Sequence, residues 1–354
     1  MRHEWIAAVA SGVAWGALAL LGPDAVAQSA SDEIETLLVS GEQPGPGLWA
    51  VRQGDHVLWI LGSLQRLPKT MTWRSDEVER RVAQSRAVLF SRPSGVQADV
   101  GLFRALALIP SALRAARNPD GGRLGDVVPS AVYDKWRALR DKYLGQDDDI
   151  EQWRPVIALN RLQSAAFEKS GLASSVSARS IVERAAKKHR VRIEVLPAVE
   201  RTIRIEDPKR ILKEASKMQL PDLACFEQGL DQLEQRITEA KLSANAWATG
   251  DIARLRTLQS GDSDASQAES GCEQRMLQAV SDLDGAPGAK RAIDALKEQS
   301  EVAARAQEWN WMNAARKALE VNESTFAVLP MNLLLSPDGY IAKLRAAGYE
   351  VEEP

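Results

Sequence analysis

The groups in this chain that can do chemistry are few in kind. Its 354 residues include only three His and two Cys. That scarcity excludes a Cys/His zinc cluster, a haem-rich protein and a disulfide-scaffold miniprotein. His56 follows a turn at the start of a β-rich run, and His189 lies in Lys187-Lys188-His189-Arg190. With no second His nearby, each reads as a surface residue rather than a ligand. No Gly-x-Ser-x-Gly elbow occurs for a serine hydrolase. Gly285-Ala286-Pro287-Gly288-Ala289-Lys290 has the wrong spacing for a phosphate loop and lacks the following Ser or Thr, and no Gly-x-Gly-x-x-Gly is present. The 48 Asp and Glu residues offer many chance pairings, so a carboxylate pair stays open. Trp309 and Trp311 lie two apart in a helical pattern and must point to different faces, one to the core and one partly to solvent.

The elements that must position these groups belong to a globular chain. Hydrophobic residues make up 45% and charged residues 26%, which excludes wholesale disorder. A net charge of −3 with both signs mixed gives no electrostatic footprint for nucleic acid. Gly47–Val51 and His56–Leu61 read as strands joined by turn residues Gln53-Gly54-Asp55. Asp76–Ser85 reads as a helix and Ala87–Phe90 as a buried strand.

The middle is helical. Leu102–Ala116 is interrupted by Pro110, and Ser130 caps a helix with Val132, Trp136, Leu139 and Tyr143 on one face. Val156–Phe167, Ile181–His189 and Leu223–Leu242 continue the pattern, with Asp207-Pro208 opening another helix. Val191–Leu196 reads as a strand. Asp147-Asp148-Asp149 and Gly261–Ser266 read as solvated loops. Ala292–Leu319 is helical, Thr325–Leu329 a strand, Gly348 a helix stop, and Tyr349–Val351 a closing strand. Strands at both ends around a helical middle predict an α/β (α+β) domain whose N- and C-terminal strands share a sheet.

Residues 1–27 read as a secretory signal peptide. Trp5–Leu21 is apolar, Gly22-Pro23 breaks it, and Ala25-Val26-Ala27 is a small-x-small cleavage site. An uncleaved anchor is the competing reading, and the cleavage site argues against it. A flexible lead-in follows over 28–45, then one domain over 46–354. The expectation is a periplasmic protein, or a secreted one, with no membrane insertion after cleavage. Export places Cys225 and Cys272 in an oxidising compartment, where they are the only pair available and predict a structural disulfide. Its loop-closure effect is roughly 4 kcal/mol. The absence of Cys-x-x-Cys spacing argues against a redox pair.

With these segments placed, residues 46–352 resemble the TraB/GumN family, related to the Tiki metalloproteases. The resemblance rests on Gly47-Leu48-Trp49, the hairpin into Leu61-Gly62-Ser63-Leu64-Gln65-Arg66-Leu67-Pro68, Trp73, Trp247-Ala248-Thr249-Gly250-Asp251, Phe326-Ala327-Val328 through Gly339 to Leu344, and Gly348-Tyr349-Glu350-Val351. It implies an erythromycin-esterase/ChaN-like fold and, in active members, a divalent-metal hydrolase. The family carries a Gly-x-x-His near each end, a Glu on the strand after the first, and an Arg-Asn pair on a late helix. Here Gln65 stands where the first His would be, and Leu89-Phe90-Ser91 supplies no carboxylate. Leu329-Pro330-Met331-Asn332 lacks the second Gly and His, and Trp309-Asn310 keeps only the Asn. Trp309 is expected to fill space left by the missing Arg.

Neutral amides are poor transition-metal ligands, and Phe90 offers no ligand atom. Without a metal there is neither a Lewis acid nor an activated water at these positions. The resemblance therefore implies an exported pseudoenzyme with no cofactor and no metal. Its former cleft, lined by Gln65, Phe90, Ser91, Arg92, Trp309, Asn310 and Asn332, would bind a protein or small-molecule ligand in the envelope. The competing expectations are a divergent hydrolase with relocated carboxylates and an envelope structural protein.

Overall fold

The computed structural model describes residues 43–69, 71–145, 148–173, 178–217, 222–259, 271–272, 275, 278 and 287–354. The expected signal peptide, most of the lead-in, Asp147 and the loop at 261–266 lie outside the described residues. The main sheet is built from β1 (Leu48–Gln53), β2 (His56–Ser63), β4 (Ala87–Ser91), β7 (Arg192–Leu196), β9 (Ser324–Pro330) and β10 (Glu350–Glu352). Its order is β10-β1-β2-β9-β4-β7. The first and last strands are neighbours, with Val51 opposite Val351. A two-residue turn joins β1 to β2, and Gly54 takes the φ of 58° that a tight hairpin turn needs at its first central position. From β2 across to β7 every pairing is parallel. The central strands β4 and β9 are buried along nearly their whole length, as parallel strands covered on both faces must be.

Helices α1 (Asp76–Ala83), α6 (Ala178–Lys188), α9 (Leu233–Thr249), α10 (Ile252–Gln259) and α11 (Pro287–Val321) cover the sheet, with α12 (Met331–Leu335) and α13 (Tyr340–Ala346). Trp49, Phe90, Trp247, Trp311 and Phe326 lie in this sheet core. A second core joins α3 (Leu124–Val127), α4 (Ser130–Tyr143), α5 (Pro155–Lys169), α8 (Asp222–Asp231) and the start of α9. There the Trp136 and Phe226 rings lie 5.5 Å apart. Among the described residues, helices α2 (Leu102–Ala116) and α7 (Pro208–Lys217) contribute to neither core.

Local readings hold where side-chain chemistry acts alone. Asp207 Oδ1 accepts the Arg210 amide at 3.0 Å and caps α7. Gly348, at φ 90°, follows α13 in the left-handed position. Ser130 is not a cap: Pro129 holds that place and Ser130 is the first helical residue. Pro110 does not interrupt its helix; it lies on the exposed side, where the carbonyl it leaves unbonded is open to solvent. The run Leu223–Leu242 divides into α8 and α9. Two short pairings were not legible in sequence: β3 (Leu67–Pro68) with β6 (Leu172–Ala173), and β5 (Gly95–Asp99) with β8 (Glu200–Arg204). Each strand has at most two adjacent apolar or β-branched residues, so tertiary pairing decides them.

Candidate functional site

Because β2, β9, β4 and β7 are parallel neighbours, their C-terminal ends emerge at one edge. Open α/β sheets gather their functional loops at that edge. Register puts Ser63 opposite Pro330, Phe90 opposite Val328 and Ser91 opposite Leu196. Gln65 follows β2, Arg92 follows β4, and Asn332 follows β9, so three separate stretches of sequence deliver their candidate residues to this edge.

Two contacts hold the loops. A Cβ on Gly62 would lie 2.4 Å from Met331 Cε, so the absence of a side chain lets the end of β2 press onto the start of α12. Trp247 Nε1 donates to the Gly62 carbonyl at 2.7 Å, and its ring meets Trp73 edge-on at 5.4 Å. These tryptophans anchor the backbone from which Gln65 projects.

At the centre sits Phe90, buried, with the Arg179 guanidinium 4.3 Å from its ring. Arg179 also donates to the Ser91 carbonyl at 3.2 Å and to Glu183 at 2.9 Å. Gln307 donates through Nε2 to Ser91 Oγ, and its Oε1 accepts the Val199 amide at 3.4 Å. Gln65, Arg92 and Asn332 are exposed. Arg66 stacks on Phe167 at 4.2 Å, and burial, then the charge of Arg236, lowers its pKa. The edge thus carries amides, hydroxyls and guanidinium groups, together with the Glu183 carboxylate paired to Arg179. Guanidinium groups donate hydrogen bonds and have no lone pair for a metal.

The long helix α11 corrects one expectation and adds one residue. Trp311 is buried against Tyr340, their rings 4.7 Å apart, while Trp309 is 68% exposed. Trp309 therefore fills no space in the interior, because its position points off the stripe that faces the sheet. Asn310 is half-buried. Gln307 was not singled out in sequence. Its signal is the stripe Ala303, Gln307, Trp311 and Ala315, four residues apart and all buried, with one polar member.

Other reactive groups lie elsewhere. His56 is half-buried, with Nδ1 2.5 Å from the Leu319 carbonyl oxygen, at the opposite end of β2 from Gln65. His189 is exposed and pairs with Glu79 at 2.8 Å. Hydrogen bonds from Lys188, then His189, lower the Glu79 pKa. Cys225 and Cys272 are joined in a disulfide, with Cα atoms 5.4 Å apart. Among the described residues no group of three or more His, Cys, Asp or Glu is placed to hold a metal ion. A concavity of about 390 Å³, lined by Asp99, Val100, Gly101, Arg204, Ile205 and Glu206, contains none of the candidate residues.

A mixed sheet with a parallel centre, closed by the chain's first and last strands and covered by helices, defines an α/β protein with its candidate site at the C-terminal strand ends. The family model described as TraB/PrgY/gumN family matches residues 47–353, nearly the whole chain, and the chain belongs to that family. No curated protein and no solved structure matches it. The divalent metal that the resemblance implies for active members does not fit Gln65, Phe90 and Asn332, which offer two amides and a phenyl ring.

Proposed function

We propose that this chain is an exported TraB/GumN-like pseudoenzyme whose sheet edge binds a protein or small-molecule ligand in the envelope. One observation carries the reading. In the stretch Leu89–Ser91, where the resemblance calls for a Glu, Phe90 is covered by the Arg179 guanidinium and Ser91 is engaged by Gln307. Phe90 offers no ligand atom, Arg179 above it is held by Glu183, and no general base stands at the aligned positions. The edge suits polar ligands, because exposed Gln65 and Asn332 offer both donors and acceptors and Arg92 adds donors. Their exposure also weighs against a purely structural role with a sealed cleft.

Export rests on residues 1–27, and the first residue of the processed chain is expected to be Gln28 by N-terminal sequencing of a periplasmic fraction. The purified protein is expected to hold no stoichiometric Mn, Co or Zn and to cleave no peptide. A metal-dependent peptidase activity that disappears in Gln65→Ala/Asn332→Ala would overturn the proposal and restore the divergent-hydrolase reading.

A further inference from the structure

Strands β5 and β8 are parallel, and each leads into a helix, α2 and α7 respectively. The two helices pack together. Buried Arg154 ties their C-terminal ends, donating from Nε to the Ala115 carbonyl at 2.9 Å and from a terminal nitrogen to the Ser216 carbonyl at 3.3 Å. The two helices nevertheless treat solvent in opposite ways. Helix α7 is an ordinary amphipath, with Ile211 and Leu212 half-buried and Lys209, Arg210 and Lys213 exposed. Helix α2 turns apolar residues outward. Leu106 is 55% and Ile109 38% exposed, Ala107 and Pro110 are exposed too, and no residue from 105 to 116 is buried. Leu106, Ile109, Pro110 and Leu113 fall at i, i+3, i+4 and i+7, one continuous face.

The charge around this face leans positive. Residues 99–117 contain three Arg and one Asp, and residues 204–217 contain five Lys or Arg against three acids, Glu206, Asp207 and Glu214. Over the whole chain the balance is −3. Arg114, Arg117, Lys209 and Lys213 are all exposed.

We propose that α2 and α7 form a peripheral docking surface for an anionic lipid bilayer. The outward face of α2 would lie among the acyl-chain boundary, and the flanking cations would meet phosphate headgroups. A second copy of the chain is a poorer occupant, because a two-fold contact through this face would set its cations against their own copies. No helix among the described residues is long and apolar enough to cross a membrane, so the contact is interfacial.

The test uses the chain from Gln28, which keeps every residue of both cores and removes the apolar N-terminal stretch. It is mixed with vesicles of phosphatidylcholine alone and of equal parts phosphatidylcholine and phosphatidylglycerol. Sedimentation with the anionic vesicles only, weakening as salt rises, is the expected result. Leu106→Glu/Ile109→Glu should lower partitioning at least about tenfold. Lys209→Glu and Lys213→Glu, which touch neither core, should each lower it about fivefold. Circular dichroism checks that each variant is folded. Equal binding to both vesicle types, or none to either, overturns the proposal. So does a dimer in light scattering that Leu106→Glu/Ile109→Glu dissociates, which would assign the face to a second copy. Failure here leaves the reading of the sheet edge untouched.

Discussion

The sheet core and the helical core each enclose a polar side chain, and the two are handled differently. Gln307, 9% exposed beside β4, is neutral and shares its amide between Ser91 Oγ and the Val199 backbone. Glu151, 0% exposed in the helical core, is a carboxylate. It accepts Trp136 Nε1 at 2.9 Å and an Arg140 nitrogen at 2.6 Å through one oxygen. Its second oxygen has no partner among the described residues. The wholly buried acid therefore sits away from the sheet edge, where hydrolytic chemistry would need it, and is occupied with structural bonds. Burial and pairing, rather than the number of acids in the composition, separate a structural carboxylate from a catalytic candidate.

The comparison breaks most readily at Glu151. Glu151→Ala leaves Arg140 and the Trp136 indole without their buried acceptor, and removing one partner of a buried pair costs about 3–5 kcal/mol. Denaturant unfolding followed by tryptophan fluorescence should show that loss. An unchanged midpoint would mean that water reaches Arg140 and that the helical core is looser than described. Next in size is the disulfide. Cys225→Ser/Cys272→Ser should lower stability by about 2–4 kcal/mol, with the same effect in the wild type after reduction. A variant as stable as the oxidised protein would show that Cys225 does not constrain α8.

On the sheet side, Trp247→Phe removes the donor to the Gly62 carbonyl and leaves a buried acceptor unsatisfied, a loss of about 1–3 kcal/mol. Amide exchange should quicken first at Ser63–Arg66. Uniform quickening instead would show that Trp247 supports the whole core and does not specifically position Gln65.

The sheet was legible where residues are committed by type. The hairpin at Gly54 and the apolar run Ala87–Phe90 follow from turn chemistry and burial, and the shared sheet followed from strands at both ends of the chain. Gln65 and Asn332 were legible only through the resemblance, since an amide after a strand has no signature of its own. What brings them to one edge is the parallel register of β2 with β9, which links residues more than 260 positions apart. Arg179 was invisible for the same reason. Its partner, Phe90, lies on another element, and nothing local marks a helix arginine as the one that will stack. The half-exposed pair β5 and β8 defeated pattern reading because Gly95, Gln97 and Asp99 show no strand preference.

Glu353 sharpens the contrast from the weak end. It follows β10 and receives Arg345 at 2.7 Å and Arg256 at 3.0 Å, tying the C-terminus to α13 and α10. The hydrogen bond from Arg345, then that from Arg256, with both positive charges, lower its pKa against an opposing effect of burial. A lowered carboxylate pKa adds stability that is fully present above the unfolded value near 4.5 and is lost as pH falls through the folded value. Glu353→Gln should therefore cost up to about 1 kcal/mol at neutral pH and nothing once the wild-type carboxyl is protonated. The cost should shrink in high salt, because this pair is partly exposed and screened, whereas that of Glu151→Ala should not. Equal salt sensitivity at the two positions would erase the distinction between the buried acid and the exposed one.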